Sequence, residues 1–403
     1  MAVGEDVLPA LHPIAGLRLG TASAGVKKPG RRDLVVIELA VDATSAGLFT
    51  RNAFCAAPVQ VARNHLAQAA PRYWVINTGN ANAGMGADGL IRAESVCAAL
   101  AAHTGVATAQ VLPFSTGVIG EPLPAERIIA ALPAAVAALD ADGWALAAEG
   151  ILTTDTRPKG ASRRVRLPGG ATLTVTGIAK GAGMIRPDMA TMLAFVATDA
   201  RVSAPLLKKM LVAAAEKSFN RITIDGDTST NDALMLAATG AVAAELDGAT
   251  LAALGDAVTE VCTDLAQAVV RDGEGATKFV TIAVAGGSSS AECLAVGYAV
   301  AESPLVKTAL FACDPNWGRI LAAIGRARVD ALDVERISVW LDEVLIAERG
   351  ARAASYTEAA GQDVMARAEI TIRIELGRGT CAETLWTTDL SYDYVRINAE
   401  YRT

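Results

Sequence analysis

The segment Lys180-Gly181-Ala182-Gly183-Met184-Ile185-Arg186-Pro187-Asp188-Met189-Ala190-Thr191-Met192-Leu193 holds the residues of this chain best suited to covalent chemistry. Its glycines and proline interrupt two apolar runs and permit backbone conformations that other residues resist. Within it, Thr191 follows the small Ala190. A hydroxyl is a weak nucleophile until a base takes its proton. The histidines, His12, His65 and His103, stand in unrelated local contexts, so no Ser-His or Cys-His pair has a local signature. A break before Thr191 supplies the base differently. The new terminal α-amine, with a pKa of about 7.7–8, can accept the hydroxyl proton near neutral pH. Before any break, the same hydroxyl can attack the Ala190 carbonyl if the loop holds that peptide strained. The residues alone leave a second reading open, a plain hairpin loop with Lys180 solvated at its rim.

Other chemistry-bearing patterns are weaker. Gly84-Met85-Gly86-Ala87-Asp88-Gly89 matches GxGxxG, but a dinucleotide site needs a strand running almost directly into the first glycine and an acidic residue ending the next strand. The strand ending at Asn77 stops short of Gly84. The next, Val111-Leu112-Pro113-Phe114, gives way to Ser115-Thr116-Gly117 with no carboxylate. A flexible glycine turn is expected there. Cys55, Cys97, Cys262, Cys293, Cys313 and Cys381 never form CxxC and read as reduced, mostly buried thiols. No histidine pair has zinc-ligand spacing, so no metal site is expected.

These residues must be held by alternating strands and helices. Period-two or continuous apolar runs predict strands at Leu34–Leu39, Tyr73–Asn77, Thr172–Ile178, Met192–Ala197, Phe279–Val284, Ile337–Leu341, Glu369–Ile374 and Thr384–Trp386. Helical patterns fall at Ile91–His103, Pro124–Leu139, Ala204–Ser218, Leu251–Val270 and Leu305–Phe311. Asp314-Pro315-Asn316 reads as a turn or N-cap leading into Trp317-Gly318-Arg319, with a structural role expected near the site. The mixture predicts a layered α/β or α+β architecture with topology undetermined.

Composition narrows the class. The 403 residues suffice for a large core and two or more packed units. Aromatics make up 4% and the net charge is -7, which argues against a nucleic-acid partner. Glu5 and Asp6 stand where a signal peptide needs basic residues, and no run approaches the roughly 18 apolar residues of a membrane span. A cytoplasmic protein without a membrane partner is expected.

The Lys180–Leu193 segment resembles the cleavage-and-nucleophile motif of the ornithine acetyltransferase (glutamate N-acetyltransferase) family of arginine biosynthesis. The resemblance runs nearly end to end. It includes Phe49-Thr50-Arg51-Asn52, Asn77-Thr78-Gly79-Asn80-Ala81-Asn82-Ala83, Ser115-Thr116-Gly117-Val118-Ile119-Gly120 and Thr153-Thr154-Asp155-Thr156. Further on come Asp225-Gly226-Asp227-Thr228-Ser229-Thr230-Asn231-Asp232, Gly273-Glu274-Gly275-Ala276-Thr277-Lys278, Asp314 to Arg319, and the tail from Asn398 to Thr403. Arg186 and Asp188, and the patch Gly84-Met85-Gly86, depart from what relatives more often carry.

The resemblance implies a layered α-β-β-α fold shared with self-processing aminopeptidases, with a smaller C-terminal α/β unit. It implies self-cleavage between Ala190 and Thr191 into fragments 1–190 and 191–403, which stay together, usually as α2β2. Thr191 becomes the nucleophile, and Thr116 with the Gly117 backbone N–H the oxyanion hole. Thr153, Lys180, Thr191, Glu274, Asn398 and Thr403 bind substrate. The implied reaction moves acetyl from N-acetylornithine to glutamate through an acetyl-Thr191 ester, without metal or organic cofactor, and with acetyl-CoA as a further possible donor. Two rivals remain: a self-cleaving amidase or aminopeptidase on the same scaffold, in which water resolves the acyl-enzyme, and a non-catalytic amino-acid-binding protein.

Overall fold

The structure, a computed structural model, describes residues 2–4, 7–27, 30–167, 170–186, 192–242 and 247–400. The chain divides into two compact units. The larger comprises residues 7–220 and 228–269, and the smaller comprises 1–6, 221–227 and 270–403. Residues on both sides of the expected fragment boundary at 190/191 belong to the larger unit; the boundary itself lies outside the described residues.

In the larger unit the described strands are β1 (Leu17–Ala22), β2 (Leu34–Leu39), β3 (Thr44–Phe49), β4 (Tyr73–Asn80), β5 (Val111–Val118), β6 (Lys159–Arg166), β7 (Thr172–Lys180), β8 (Leu193–Thr198) and β9 (Ala233–Ala238). They form two sheets, ordered β1-β2-β4-β5 and β3-β9-β8-β7-β6. Alternation explains how the sheets stack. Trp74 and Ile76 of β4 point into a core shared with Phe195, Leu193 and Met235 of the other sheet. Tyr73 and Val75, one residue out of phase, pack against the helices Gly86–Thr104 and Ala125–Ala137. A strand buried on both faces reads as a continuous apolar run, as these do. Trp74, Phe114 and Phe195 meet in the middle, with Phe114 and Phe195 edge to face at 5.1 Å between centroids. On the far side of the second sheet, Val261 and Leu265 of the helix Gly248–Arg271 crowd Gly177 of β7. The layering is therefore α-β-β-α, as expected.

The smaller unit is a second α/β layer pair. Its strands are β10 (Phe279–Gly287), β11 (Ser338–Leu341), β12 (Val344–Glu348), β13 (Ala351–Arg352), β14 (Glu369–Glu375) and β15 (Cys381–Thr388), in the order β13-β12-β11-β14-β10-β15. Val280, Ile282 and Val284 share a core with Val296, Leu310, Ile324 and Met365 from the helices Ser290–Ala301, Pro304–Phe311, Trp317–Gly325 and Glu358–Met365. Asn316 caps the third of these, accepting from the Arg319 N–H at 3.1 Å, so the Asp-Pro-Asn element does serve as an N-cap.

All the predicted strands and helices form. Pro124 sits at the N-cap of its helix rather than in the first turn. Of the cysteines, Cys97, Cys262 and Cys293 are buried, Cys55 and Cys381 half-buried, and Cys313 exposed. Among the described residues, no single helix is long and apolar enough to cross a membrane.

Candidate functional site

Thr116 and Gly117 lie inside β5, not in a turn beyond it. The sequence reading ended that strand at Phe114, but the ladder continues to Val118, with Thr116 opposite Thr78 and Gly117 opposite Gly79 of β4. A polar run can persist in a buried strand only if its groups are satisfied. Here Ser115 Oγ donates to Asn77 Oδ1 at 2.5 Å, and Asn77 Nδ2 donates to the Asn80 carbonyl at 2.9 Å. Asn231 Nδ2 donates to the carbonyls of Ala81 (2.6 Å) and Ser115 (2.9 Å), clamping the ends of both strands. Gly117 has φ +135°, and a Cβ there would stand 2.2 Å from the Gly79 carbonyl carbon. Only glycine permits that approach.

Lys180, the last residue of β7, donates from Nζ to Thr116 Oγ1 at 3.1 Å. It is therefore engaged with Thr116, an expected oxyanion-hole residue, rather than simply solvated at a loop rim. A threonine hydroxyl that accepts from an ammonium keeps its own O–H to give away. The pair can thus present a polarised donor, and charge-assisted bonds of this kind are about twice as strong as neutral ones.

A buried carboxylate holds this arrangement. Asp155 accepts from Lys159 Nζ at 2.6 Å, from the Gly181 N–H at 2.6 Å, and from the Thr153 N–H at 3.0 Å. The Thr153 hydroxyl adds a longer contact of 3.4 Å. The side chains of Asp155 and Lys159 are 0% and 1% exposed. Burial by itself would raise the Asp155 pKa, but the charges of Lys159 and Lys180 and the bonds it accepts hold it well below the usual carboxylate range. Through Gly181 and Thr153, Asp155 ties together the chain beside Lys180 and the expected binding residue Thr153.

Asp232 behaves oppositely. It is buried, and burial pushes its carboxyl well above the usual range, against the bonds from Ser229 and the charge of Lys180. Among the described residues, its Oδ2 has no hydrogen-bond partner.

In the smaller unit, Glu274 and Asn398 meet directly. Asn398 Nδ2 donates to Glu274 Oε2 at 2.7 Å and to the Tyr394 carbonyl at 3.0 Å. The helix Tyr392–Ala399 carries Asn398, and its N-cap Ser391 donates to the Gly275 carbonyl at 2.7 Å. A Cβ on Gly275 would stand 2.5 Å from Ser391 Oγ, so this glycine sets how closely the helix docks beside Glu274. Asp389 fixes the same loop, accepting from the N–H groups of Thr277 (2.8 Å) and Lys278 (3.0 Å). Tyr394 donates to Asp225 Oδ2 at 3.1 Å, and burial, followed by Asp225, pushes its phenol up. Glu274 with Asp225 gives this cluster an anionic character suited to an ammonium group.

The structure thus joins Thr116 to Lys180, sets Thr153 one carboxylate away from Gly181, and pairs Glu274 with Asn398. Ala190, Thr191 and Thr403 lie outside the described residues. Sequence reasoning assigned no role to Asp155, Lys159, Asn231, Asp232 or Tyr394. Its one available signal was the four-residue spacing of Asp155 and Lys159.

The sequence model of the ArgJ family matches residues 18–403. This chain belongs to the ArgJ family. It is 63% identical, over the full length of both, to the arginine biosynthesis bifunctional protein ArgJ of Pseudomonas fluorescens. The ArgJ proteins of Pseudomonas syringae pv. tomato (62%) and Psychrobacter arcticus (58%) also match end to end. Among solved structures, ArgJ of Bacillus halodurans is 36% identical with a TM-score of 0.48, covering 50% of this chain and 95% of that one. The ornithine acetyltransferase of Mycobacterium tuberculosis, solved with ornithine, is 34% identical with a TM-score of 0.41, covering 44% of this chain and 94% of that one.

Proposed function

We propose that this chain is the acetyltransferase of arginine biosynthesis that moves the acetyl group of N-acetylornithine to glutamate, after cutting itself between Ala190 and Thr191. The observation that carries the reading is 63% identity along the whole chain to a protein named for bifunctional action in arginine biosynthesis. The bond from Lys180 to Thr116 supports it independently.

In the proposed reaction the Thr191 hydroxyl attacks the acetyl carbonyl while its own α-amine takes the proton. Negative charge gathers on the carbonyl oxygen, where the Thr116 hydroxyl and the Gly117 N–H donate to it; one such donor is worth roughly 3 kcal/mol. Collapse expels the ornithine amine, which leaves with the proton. Glutamate then attacks the acetyl-Thr191 ester and restores the hydroxyl. Thr153, Lys180, Glu274, Asn398 and Thr403 bind substrate in this reading, with Glu274 meeting an ammonium. No metal or organic cofactor enters this scheme, and acetyl-CoA is a second donor to test. The active form in this reading is a cytoplasmic α2β2 assembly of fragments 1–190 and 191–403.

Intact mass spectrometry after brief incubation with N-acetylornithine tests the scheme. Two fragments are expected, with the mass of one acetyl group added to 191–403. An uncut chain, or a cut chain that gains no acetyl, overturns it.

A further inference from the structure

The motif Phe49-Thr50-Arg51-Asn52 has no part in the acetyl exchange, yet the fold holds it firmly. Thr50 Oγ1 donates to the Ser229 carbonyl at 2.7 Å, and Asn52 Nδ2 donates to the Thr228 carbonyl at 3.0 Å. The Asn52 N–H in turn donates to Thr50 Oγ1 at 3.1 Å. These bonds fix the chain on both sides of Arg51. Arg51 lines a pocket of about 380 Å³ in the larger unit, a size within the range of small-molecule sites.

Three elements deliver the charges of this pocket. Arg51 follows β3, Arg63 comes from the helix Ala57–Gln68 and Lys208 from the helix Ala204–Lys217; among the described residues these three are its charged lining. β3 is the edge strand of its sheet, and Lys208 Nζ donates to the Gly47 carbonyl on it. Arg63 is held twice, donating to the Thr50 carbonyl at 3.3 Å and lying 5.7 Å from the centroid of the Phe49 ring. Each of these bonds engages one of the five N–H donors of an arginine or one of the three of a lysine.

One lysine suffices to guard an open sheet edge. Three cations in one pocket repel one another, and a cleft lined by one sign concentrates ions of the other. Here it does so on a chain whose net charge is -7. Burial lowers the Lys208 ammonium from its ordinary value, and an anion beside it would restore the charged form. A single carboxylate is met by one guanidinium; further cations suit the larger charge and the several acceptor oxygens of a phosphate. The acidic body repels an extended polyanion, which leaves a small molecule as the occupant. Phe49 and Leu66 add an apolar wall that a bare phosphate would not use.

We propose that Arg51, Arg63 and Lys208 bind the phosphate end of a phosphorylated small molecule whose organic part lies on Phe49 and Leu66. The inference stands apart from the acetyl exchange and involves no covalent step.

The test is calorimetric titration of the full-length protein with two probes, pyrophosphate and ADP, which differ by the adenosine alone. Saturable binding is expected for both, tighter for ADP and weakening as salt is added. Arg63→Gln and Lys208→Gln should each weaken ADP binding by about tenfold or more, with thermal unfolding unchanged. Arg63→Lys, which keeps the charge, should lose less. Arg51→Gln, outside both helices, carries the same expectation if a helix variant fails to fold. No saturable binding of ADP at millimolar concentration overturns the proposal, as does an ADP affinity unchanged in the folded Gln variants. ADP that binds no tighter than pyrophosphate makes the occupant a free phosphoanion and overturns the part given to Phe49 and Leu66.

Discussion

Replacing Asp155 with asparagine should cost the larger unit far more than a surface substitution would. The carboxylate lies 2.6 Å from Lys159 Nζ with both side chains almost wholly buried. Removing one charge of such a pair leaves the other in a poorly solvated site, at about 3–5 kcal/mol. The Gly181 and Thr153 N–H groups lose an ionised acceptor as well. The assay is urea unfolding of the purified protein at pH 7, wild type against Asp155→Asn. A second variant, Asp155→Asn with Lys159→Met, removes the stranded ammonium while keeping a side-chain acceptor beside the Gly181 and Thr153 N–H groups, and should recover part of the loss. The pH dependence follows from the depressed carboxyl. Its contribution is fully present above the unfolded pKa of about 3.9 and falls away as pH drops toward the lower folded value. The gap between wild type and Asp155→Asn should therefore narrow below about pH 4. A loss under about 1 kcal/mol, or a double variant as unstable as the single one, would refute the argument that this charge pair governs the site's rigidity.

Lys307, wholly buried in the smaller unit, is pushed down to about 8, chiefly by burial. Between about pH 8 and 10.4 the unfolded chain binds the extra proton, so stability should rise with pH there, by about 3 kcal/mol in all, and Lys307→Met should flatten that slope in thermal melts. Gly117→Ala places a Cβ 2.2 Å from the Gly79 carbonyl carbon at a φ of +135°. A loss of about 3 kcal/mol or more, or failure to accumulate as soluble protein, is expected, and an Ala variant with wild-type melting would show that the strands can part freely. Phe195→Ala empties the centre of the Trp74–Phe114–Phe195 cluster and should cost about 3–5 kcal/mol by urea unfolding.

What the sequence displayed and what it hid follow from range. β2, β4, β7 and β10 declared themselves because apolar period and β-branched residues are local signals. β6, Lys159-Gly160-Ala161-Ser162-Arg163-Arg164-Val165-Arg166, did not: it is an edge strand whose cations mask its pattern. The alanine-rich β9 shows no alternation, since both of its faces are buried. Ser115-Thr116-Gly117 looked like a turn because its justification, the amide of Asn231, sits more than a hundred positions away. Asp155 was quoted as part of a motif, yet its bond to Gly181 spans 26 positions and no periodicity reports it. The Thr116–Lys180 pair was legible only through family resemblance, and its geometry only through the fold.

The order β3-β9-β8-β7-β6 has a consequence for any chain cut at 190/191. The strands on either side of that point would alternate in ownership: β3, β7 and β6 upstream, β9 and β8 downstream. The downstream pair is wedged between two antiparallel seams, each six residue pairs long. Neither piece could withdraw without tearing a seam and baring raw sheet edges that invite aggregation. Assembly would then be a one-way passage, in which folding must precede scission and a molecule that melts afterwards has to find its other half by collision. Endurance of the processed protein would be measured as a lifetime rather than an equilibrium.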